Sequence, residues 1–569
     1  MWLVPALVVA LPALLSLPLG RYMARVFDRP HPVNRIERWL DTGPQSWRRY
    51  ALSLLGFNAL VFAAGFAVLM FQHLLPLNPD GKPALAPSTV FNTACSFLTN
   101  TNLQHYAGEV HLSYLSQMTA VMWKQFVTPA VGLAALLAVI RGLRGDPDVG
   151  NFSLDLWRAT VGLFLPLALL VGGLLVLGGV PMTFEGAAKL TTLDGGTQEI
   201  SRGPVAAVVA IKQLGTNGGG YFGANSAHPF ENPSAWTNVL ECCCITLVPM
   251  ACVVMFGRML KAGRHACVLF AVCGLLLVAF TAAAVLLEAG PNPGLAGLPV
   301  DQSAGNLEGK ELRFGPGAAP AWVAVTTCTS NGSVNCMHDS LNPLTGVVPL
   351  TGMWLNCVFG GVGVGLINLL VYLVVAVFLA GLMVGRTPEY LGKKVEAREM
   401  KLAMLALLVH PLLVLAPTGL FCQAGWADAS KNNPGPHGFS ETLYEFTSAS
   451  ANNGSGFEGL ADTVGVVESE DADLKDDAKR ADRLAVRKVA TAWDIATGLV
   501  MIVGRFVPII APIALAASLA RKRPTPFTAG TLRTDTATFG LVLLGTVLLV
   551  GALLFLPAAA LGPVAEHLM

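Results

Sequence analysis

The chain runs to 569 residues, 53% of them hydrophobic and only 13% charged, with a mean hydropathy of +0.57. Soluble domains carry about a quarter of charged residues, so this composition excludes an ordinary soluble protein and indicates a polytopic membrane protein. The 37 Lys and Arg balance the 36 Asp and Glu; a net charge of +1 by itself points to no partner, and the bilayer, not a nucleic acid, is the expected surrounding.

In chain order, apolar runs of the ~18 or more residues needed to cross a hydrocarbon core fall near 3–24, 51–75, 119–143, 156–180, 235–260, 266–288, 358–384, 400–421, 489–520 and 538–561, ten candidate spans in all. The first begins at Trp2 without a basic segment ahead of it and without a clean A-x-A cleavage signal, so a retained helix is expected and not a signal peptide. Seven Lys and Arg lie in 21–49 and five in 386–401, whereas 76–118 holds only Lys82. The positive-inside rule then assigns 21–49, 141–158, 258–264, 386–401 and 521–533 to the cytoplasm. Both termini, and the longer connections 76–118, 181–234, 289–357 and 422–488, are expected on the outer side. The eleven cysteines are scattered, many of them inside spans (Cys242, Cys243, Cys244, Cys252, Cys267, Cys273), and none has zinc-finger spacing; they read as packing residues.

Each outer connection carries one polar segment preceded by a stretch able to form a half-helix. Laid over one another without gaps they read Thr99-Asn100-Thr101-Asn102, Thr216-Asn217-Gly218-Gly219, Ser330-Asn331-Gly332-Ser333 and Asn452-Asn453-Gly454-Ser455. In this alignment asparagine holds the second place in all four, glycine the third in three, and the asparagines recur at intervals of 117, 114 and 122 residues. Such a period marks an internal repeat, here span, half-helix, polar loop, span. The repeats are expected at 51–143, 156–260, 266–384 and 400–520, with extra spans in 1–50 and 521–569. One Asn-Asn-Gly is an ordinary turn signal; four in register between spans are not. Irregular backbone at membrane depth is tolerated only when buried in protein or lining a wet cavity, so four such loops imply a pore. Glycine lets carbonyl groups approach an axis unobstructed, and rings of carbonyls, helped by Thr, Ser and Asn oxygens, replace the hydration shell of a monovalent cation. No ring of carboxylates lies in these segments, which argues against a divalent-cation or proton path. The expected fold is an all-α polytopic membrane protein with four pseudo-symmetric pore repeats.

Longer motifs sharpen this reading. The segments "FNTACSFLTNTNLQHYAGE" (91–109), "GTNGGGYFGANSAHPFENP" (215–233), "NCMHDSLNPLTG" (335–346), "FGGVGVG" (359–365), "GRTPEYLGKKVEAREMK" (385–401) and "TSASANNGSGFEGL" (447–460) resemble the potassium-binding, channel-like A subunits of the Kdp potassium-transporting ATPases. The resemblance covers nearly the whole chain. It implies a fold related to Trk and Ktr potassium transporters and a bacterial inner-membrane complex with a P-type ATPase B subunit, a C subunit and a small F subunit. In that complex this chain would bind extracytoplasmic K+ and deliver it across the membrane while the B subunit hydrolyses ATP. The sequence itself holds no Asp-Lys-Thr-Gly-Thr phosphorylation motif and no phosphate loop, so no bound nucleotide and no catalysis are expected of this chain.

Carried over by position, the resemblance implies a selectivity filter at Thr99 to Asn102, Thr216 to Gly219, Ser330 to Gly332 and Asn452 to Gly454, with Gln104 flanking it and K+ its only metal. Gly360, Gly361 and Gly363, with Gly365, would break the span near 358–384 at a gate or exit route shared with Asn356, while Arg398 and Lys401 would stand at the cytoplasmic mouth as a barrier to leak or as topology anchors. Three positions depart from the family: Leu103 for tryptophan, Asn356 for glutamate and Asn331 for cysteine. So does the charged segment 462–488, from Asp462 through Glu468, Glu470 and Asp471 to Lys488, which reads as a solvated helix with internal ion pairs; an outer lid or a partner contact is the other reading. Among charges inside spans, Lys124 either snorkels outward or sits behind the filter, and Arg505 is expected to bond carbonyls of a neighbouring repeat.

Two rivals remain from the sequence. A stand-alone Trk- or Ktr-type K+ channel or transporter subunit would work without ATP; the two additional terminal spans and "RTPEYLGKK" set this chain apart from it. A Na+- or H+-coupled secondary transporter would need an ionisable relay or inverted halves, whereas these repeats run in one direction with few carboxylates in their spans.

Overall fold

The computed structural model describes residues 2–29, 32–383, 385, 387–466, 477–525 and 532–569. Among the described residues, ten helices are long and apolar enough to cross a membrane: Leu3–Phe27, Trp47–Met70, Tyr114–Arg144, Phe152–Leu177, Ala235–Met259, Gly263–Leu295, Val364–Met383, Ala397–Gln423, Val486–Ala520 and Ala537–Leu568. These are the ten spans expected from the apolar runs.

Between the spans, four short helices among the described residues each lead into one of the polar loops, Pro87–Leu98, Val205–Leu214, Gly315–Cys328 and Gly435–Ala451. Each starts at proline: Pro87, Pro316 and Pro436 occupy the first turn and Pro204 the position just before it. Proline is preorganised for a first helical turn, where its missing N–H is no loss. The helices are too short to span, and their side chains are buried almost throughout, so they hang inside the protein as re-entrant elements.

Burial sorts the spans into two shells. In the most apolar stretches of Tyr114–Arg144, Ala235–Met259, Val364–Met383 and Val486–Ala520, 67% to 89% of residues are buried; in the other six the share is 28% to 44%. The well-buried four each follow a short helix and its loop, so they form an inner wall, and the rest lie outside it. The first span packs along Ala235–Met259 at Gly20, where a Cβ would lie 2.5 Å from Val254 Cβ, a small-residue contact typical of membrane helix pairs.

The third inner wall is built differently from the expectation of one run over 358–384. The helix Pro343–Leu355 ends at Asn356, whose left-handed backbone (φ +45) caps it, and a new helix begins only at Val364. The half-span 343–355 escapes a search by length because it has 13 residues, with Pro349 inside and glycines on either side. Two small hairpins also stand outside the all-α expectation: Ala188–Thr191 with Thr197–Ile200, and Glu389–Tyr390 with Lys393–Lys394. Of the charged segment 462–488, residues 467–476 lie outside the described residues, so its ion pairs are not described; from Asp477 onward the chain is one helix continuous with the last inner span.

Candidate ion-binding site

The four short helices end at Leu98, Leu214, Cys328 and Ala451, and the chain after each follows one pattern. The amide of Thr101 donates to Ser96 O, Asn217 to Lys212 O, Asn331 to Thr326 O and Asn453 to Ser448 O, all five residues back and at 2.9–3.1 Å. The residue before each donor is left-handed: Asn100 (φ +62), Thr216 (+48), Ser330 (+49) and Asn452 (+53). The residue after each donor is left-handed too: Asn102 (+56), Gly218 (+91), Gly332 (+89) and Gly454 (+106).

This geometry shifts the first loop by one residue from the gapless alignment. Thr101, not Asn100, is the counterpart of Asn217, Asn331 and Asn453, and Asn102 stands where the other loops have glycine. The sequence alignment matches asparagines; the backbone matches conformations, and asparagine is among the few side-chain-bearing residues that visit the left-handed region readily. Hydroxyls agree with the new register, since Thr99 Oγ1 donates to Cys95 O at 2.9 Å just as Thr329 Oγ1 donates to Val325 O at 2.8 Å.

The loops close into a ring. A Cβ on Gly218 would meet Asn331 O at 2.0 Å, one on Gly332 would meet Asn453 O at 2.1 Å, and one on Gly454 would meet Thr101 O at 2.0 Å. Asn102 Cβ completes the circuit, 2.8 Å from a Cβ on Gly219. The order around the ring is therefore first, second, third, fourth loop.

Its carbonyls differ in their partners. At the place after the left-handed residue, Leu103 O accepts from Ser96 Oγ, Gly219 O from Gln125 Nε2 and Ser333 O from Trp322 Nε1, at 2.7–3.0 Å. The carbonyls of Thr101, Asn217, Asn331 and Asn453, all buried, accept no hydrogen bond from the described residues. Buried carbonyls are nearly always paired, and four unpaired ones at equivalent places of a closed ring have the chemistry a cation ligand set requires. The four helices all direct their C-terminal ends, which carry partial negative charge, at this ring.

The side-chain oxygens expected to help largely do something else. Asn331 Nδ2 donates to Lys212 O and Asn453 Nδ2 to Thr326 O, each on the short helix of the preceding repeat, at 3.3 and 3.0 Å. Their Oδ1 atoms accept from Ser333 N and Ser455 N. Asn217 Nδ2 donates to Gln125 O, Asn452 Nδ2 to Met501 O and Thr101 Oγ1, and Asn100 Nδ2 to Thr216 O. These amides hold the loops in place. Gln104 joins the first two loops, donating to Phe222 O and accepting from Gly220 N and Asn225 Nδ2. Leu103 packs in an apolar cluster with Phe446 and Trp493. Sequence reasoning misses Gln125 and Asn225; the amide of Gln125 inside an apolar run is the available signal.

The break in the third inner wall lies against the ring. Asn356 Oδ1 accepts from Ser330 Oγ at 2.6 Å and its Nδ2 donates to Ala451 O at 3.1 Å, so it ties the half-span to two loops. Val362 N donates to Thr216 Oγ1 at 3.0 Å. Gly363, at φ +78, sits where a Cβ would be 2.2 Å from Gly132 O, and Gly360 and Gly365 pack backbone to backbone. Gly361 lines a cavity with Asn100, Ser330, Asn356, Asn452 and Arg505. Arg505 donates to Thr128 O at 3.1 Å, a carbonyl of the first repeat, as expected of it. Lys124 is fully buried, its Nζ against Gly65, and does not snorkel. Arg398 and Lys401 are exposed in the first turns of Ala397–Gln423 and are not among the residues lining the cavity.

Fold and site together define a membrane protein of the pore-loop class, four re-entrant loops within an inner wall of spans. Residues 6–568 match the family described as "Potassium-transporting ATPase A subunit", and the chain belongs to that family. It is 48% identical over 565 residues to the potassium-transporting ATPase potassium-binding subunit of Alicyclobacillus acidocaldarius and 45% over 568 residues to that of Geobacillus kaustophilus, covering in each case 97% of this chain and 96% of the relative. Among solved structures it is similar in fold to the potassium transporter TrkH from Vibrio parahaemolyticus, with a TM-score of 0.51 and 13% identity over 89% of this chain and 97% of that one.

Proposed function

We propose that the carbonyls of Thr101, Asn217, Asn331 and Asn453 select K+ arriving from the outer side. The chain is the potassium-binding, non-hydrolysing subunit of a potassium-transporting ATPase, and ATP is hydrolysed in another subunit. The observation that carries the filter reading is the closed ring of four buried carbonyls without donors among the described residues. Neutral oxygens in fixed positions suit a weakly hydrated monovalent ion, and selectivity rests on their number and spacing. The remaining loop residues, with Gln104, hold that spacing.

Below the ring, Asn356 with Gly360, Gly361 and Gly363 forms the gate or exit route, and Arg505 places a positive charge in the cavity that slows passive escape of cations. Arg398 acts as a cytoplasmic anchor. In this reading the four repeats at 51–143, 156–260, 266–384 and 400–520 are the structural units, the chain binds no nucleotide, and K+ is its cargo. The complex sits in a bacterial inner membrane with both termini outside, beside a P-type ATPase B subunit, a C subunit and a small F subunit.

The test is ATP hydrolysis by the solubilised complex purified through a tag on this chain, comparing wild type with Gly218→Asp. Stimulation by K+ and not by Na+, altered in the variant, is expected. If no ATPase copurifies while the chain alone conducts K+ in liposomes, the stand-alone transporter reading replaces this one.

A further inference from the structure

One buried cluster on the same side of the spans as the loops contributes no carbonyl to the ring. His105 lies beyond the first loop, Glu445 on the short helix Gly435–Ala451, Asp462 beyond the fourth loop and Asp494 on the last inner span. The side chains of His105, Glu445 and Asp494 are buried, and that of Asp462 is 18% exposed. Their distance apart in the chain hides the cluster from any search by spacing, and by sequence alone Asp462 reads as the start of a solvated charged run.

Two kinds of contact meet at the imidazole. Nδ1 is 2.8 Å from Asp494 Oδ1, a hydrogen bond, and Asp494 Oδ2 in turn accepts from Thr89 Oγ1 at 3.2 Å. Nε2 faces Glu445 Oε1 at 3.3 Å and Asp462 Oδ2 at 3.5 Å. The Glu445 separation is that of a long hydrogen bond, the ordinary N–H···O range being about 2.7–3.2 Å, and the Asp462 separation is longer still. They match the ligand-to-ligand edge, about 3.3–3.5 Å, of a tetrahedral centre whose metal bonds measure about 2.0–2.2 Å. One nitrogen and two carboxylate oxygens, within 4.8 Å of one another, thus stand at metal-ligand spacing. Asp494 holds the ring as a carboxylate holds a metal-bound histidine, fixing the tautomer that leaves Nε2 free to ligate.

Charge points the same way. Three carboxylates converge on one imidazole, and no lysine or arginine among the described residues forms an ion pair with any of them. With all three ionised, even an imidazolium leaves a buried excess of negative charge, which is costly without a counter-cation; burial pushes the Asp462 carboxyl up to about 7, so a proton is the alternative partner.

We propose that His105 Nε2, Glu445 and Asp462 bind a divalent first-row cation of the Zn2+ type, with Asp494 as the positioning residue and the partly exposed Asp462 as the way in. Nitrogen with carboxylate oxygen is a donor set suited to Zn2+. The bound ion joins the segment after the first loop to the helix before the fourth and the chain beyond it, bracing two neighbours in the ring.

The test uses the full chain in detergent with Zn2+ and, as a spectroscopic probe, Co2+. Wild type is expected to take up one equivalent of Zn2+ with a rise of several degrees in melting temperature, and Co2+ to give visible d–d bands of a tetrahedral site. His105→Gln and, separately, Glu445→Gln should lose the bands and the stabilisation. His437→Gln, in a second His and carboxylate group with Asp339 and Glu441, should keep both. No stoichiometric uptake by wild type, or an unchanged Zn2+ response in Glu445→Gln, overturns the proposal, as does loss of the response in His437→Gln alone. None of these readouts depends on K+ selection or ATP hydrolysis.

Discussion

A Cβ on Gly332 would lie 2.1 Å from the carbonyl oxygen of Asn453 in the neighbouring loop. Gly332 is also left-handed, at φ +89, so alanine there meets both a steric and a conformational penalty. Gly332→Ala should therefore push the Asn453 carbonyl out of the ring. The expected result is a loss of more than ~10-fold in K+ affinity, about 1.4 kcal/mol or more, measured as K+ stimulation of ATP hydrolysis by the complex. Unchanged affinity would separate this carbonyl from ion binding.

Asn102 tests the register of the first loop. Its backbone, at φ +56, matches the glycines of the other three. Asn102→Gly should keep K+ selectivity with a stability change within ~1 kcal/mol, whereas Asn102→Val, β-branched and poor at positive φ, should abolish it. Selectivity surviving in the valine variant would return the gapless alignment to favour.

Asn356 carries a group that both accepts and donates. Asn356→Asp keeps the oxygen that accepts from Ser330 but sets a carboxylate oxygen against Ala451 O, where the amide had donated. Loss of a buried hydrogen bond of this kind costs about 1–3 kcal/mol. The variant should melt lower than wild type, and Asn356→Gln, which keeps both functions at greater length, should fall between them. Equal melting of all three would show that the tie is dispensable.

His437, outside the spans, links Asp339 to Glu566 of the terminal helix at 2.9 and 2.8 Å. Burial lowers its pKa, but the hydrogen bonds to Asp339 and Glu566 outweigh that and raise it to about 10. A folded value above the unfolded ~6.5 means that the stabilisation is complete below pH ~6.5 and disappears as pH rises through about 10. The melting-temperature gap between wild type and His437→Gln should thus be widest near pH 6 and close toward pH 10. Parallel curves would rule out the imidazolium as the source.

The spans, the short helices and the place of each loop are legible in the sequence because apolar length, proline punctuation and the period of the repeat are local properties. The loop register is not, because residue identity at Asn100 and Asn102 is a poor guide to which of them takes the glycine-like conformation. Pro343–Leu355 is hidden by its length, and the meeting of His105 with Glu445, Asp462 and Asp494 by closure of the ring, which brings the first and fourth loops together. Main-chain carbonyls leave little trace in a sequence; the asparagines beside them are visible and so attract part of the carbonyls' role.

The interrupted third wall has a bearing on how such a protein can change over time. In a pore assembled from four identical chains, any substitution appears in every quadrant, and a helix broken below one loop is broken below all. Joining the copies into one gene lets a single quadrant lose its continuous helix between Leu355 and Val364 while Tyr114–Arg144, Ala235–Met259 and Val486–Ala520 continue without a break. The near-symmetric ring above and the one-sided opening below can then be selected independently, each without disturbing the other.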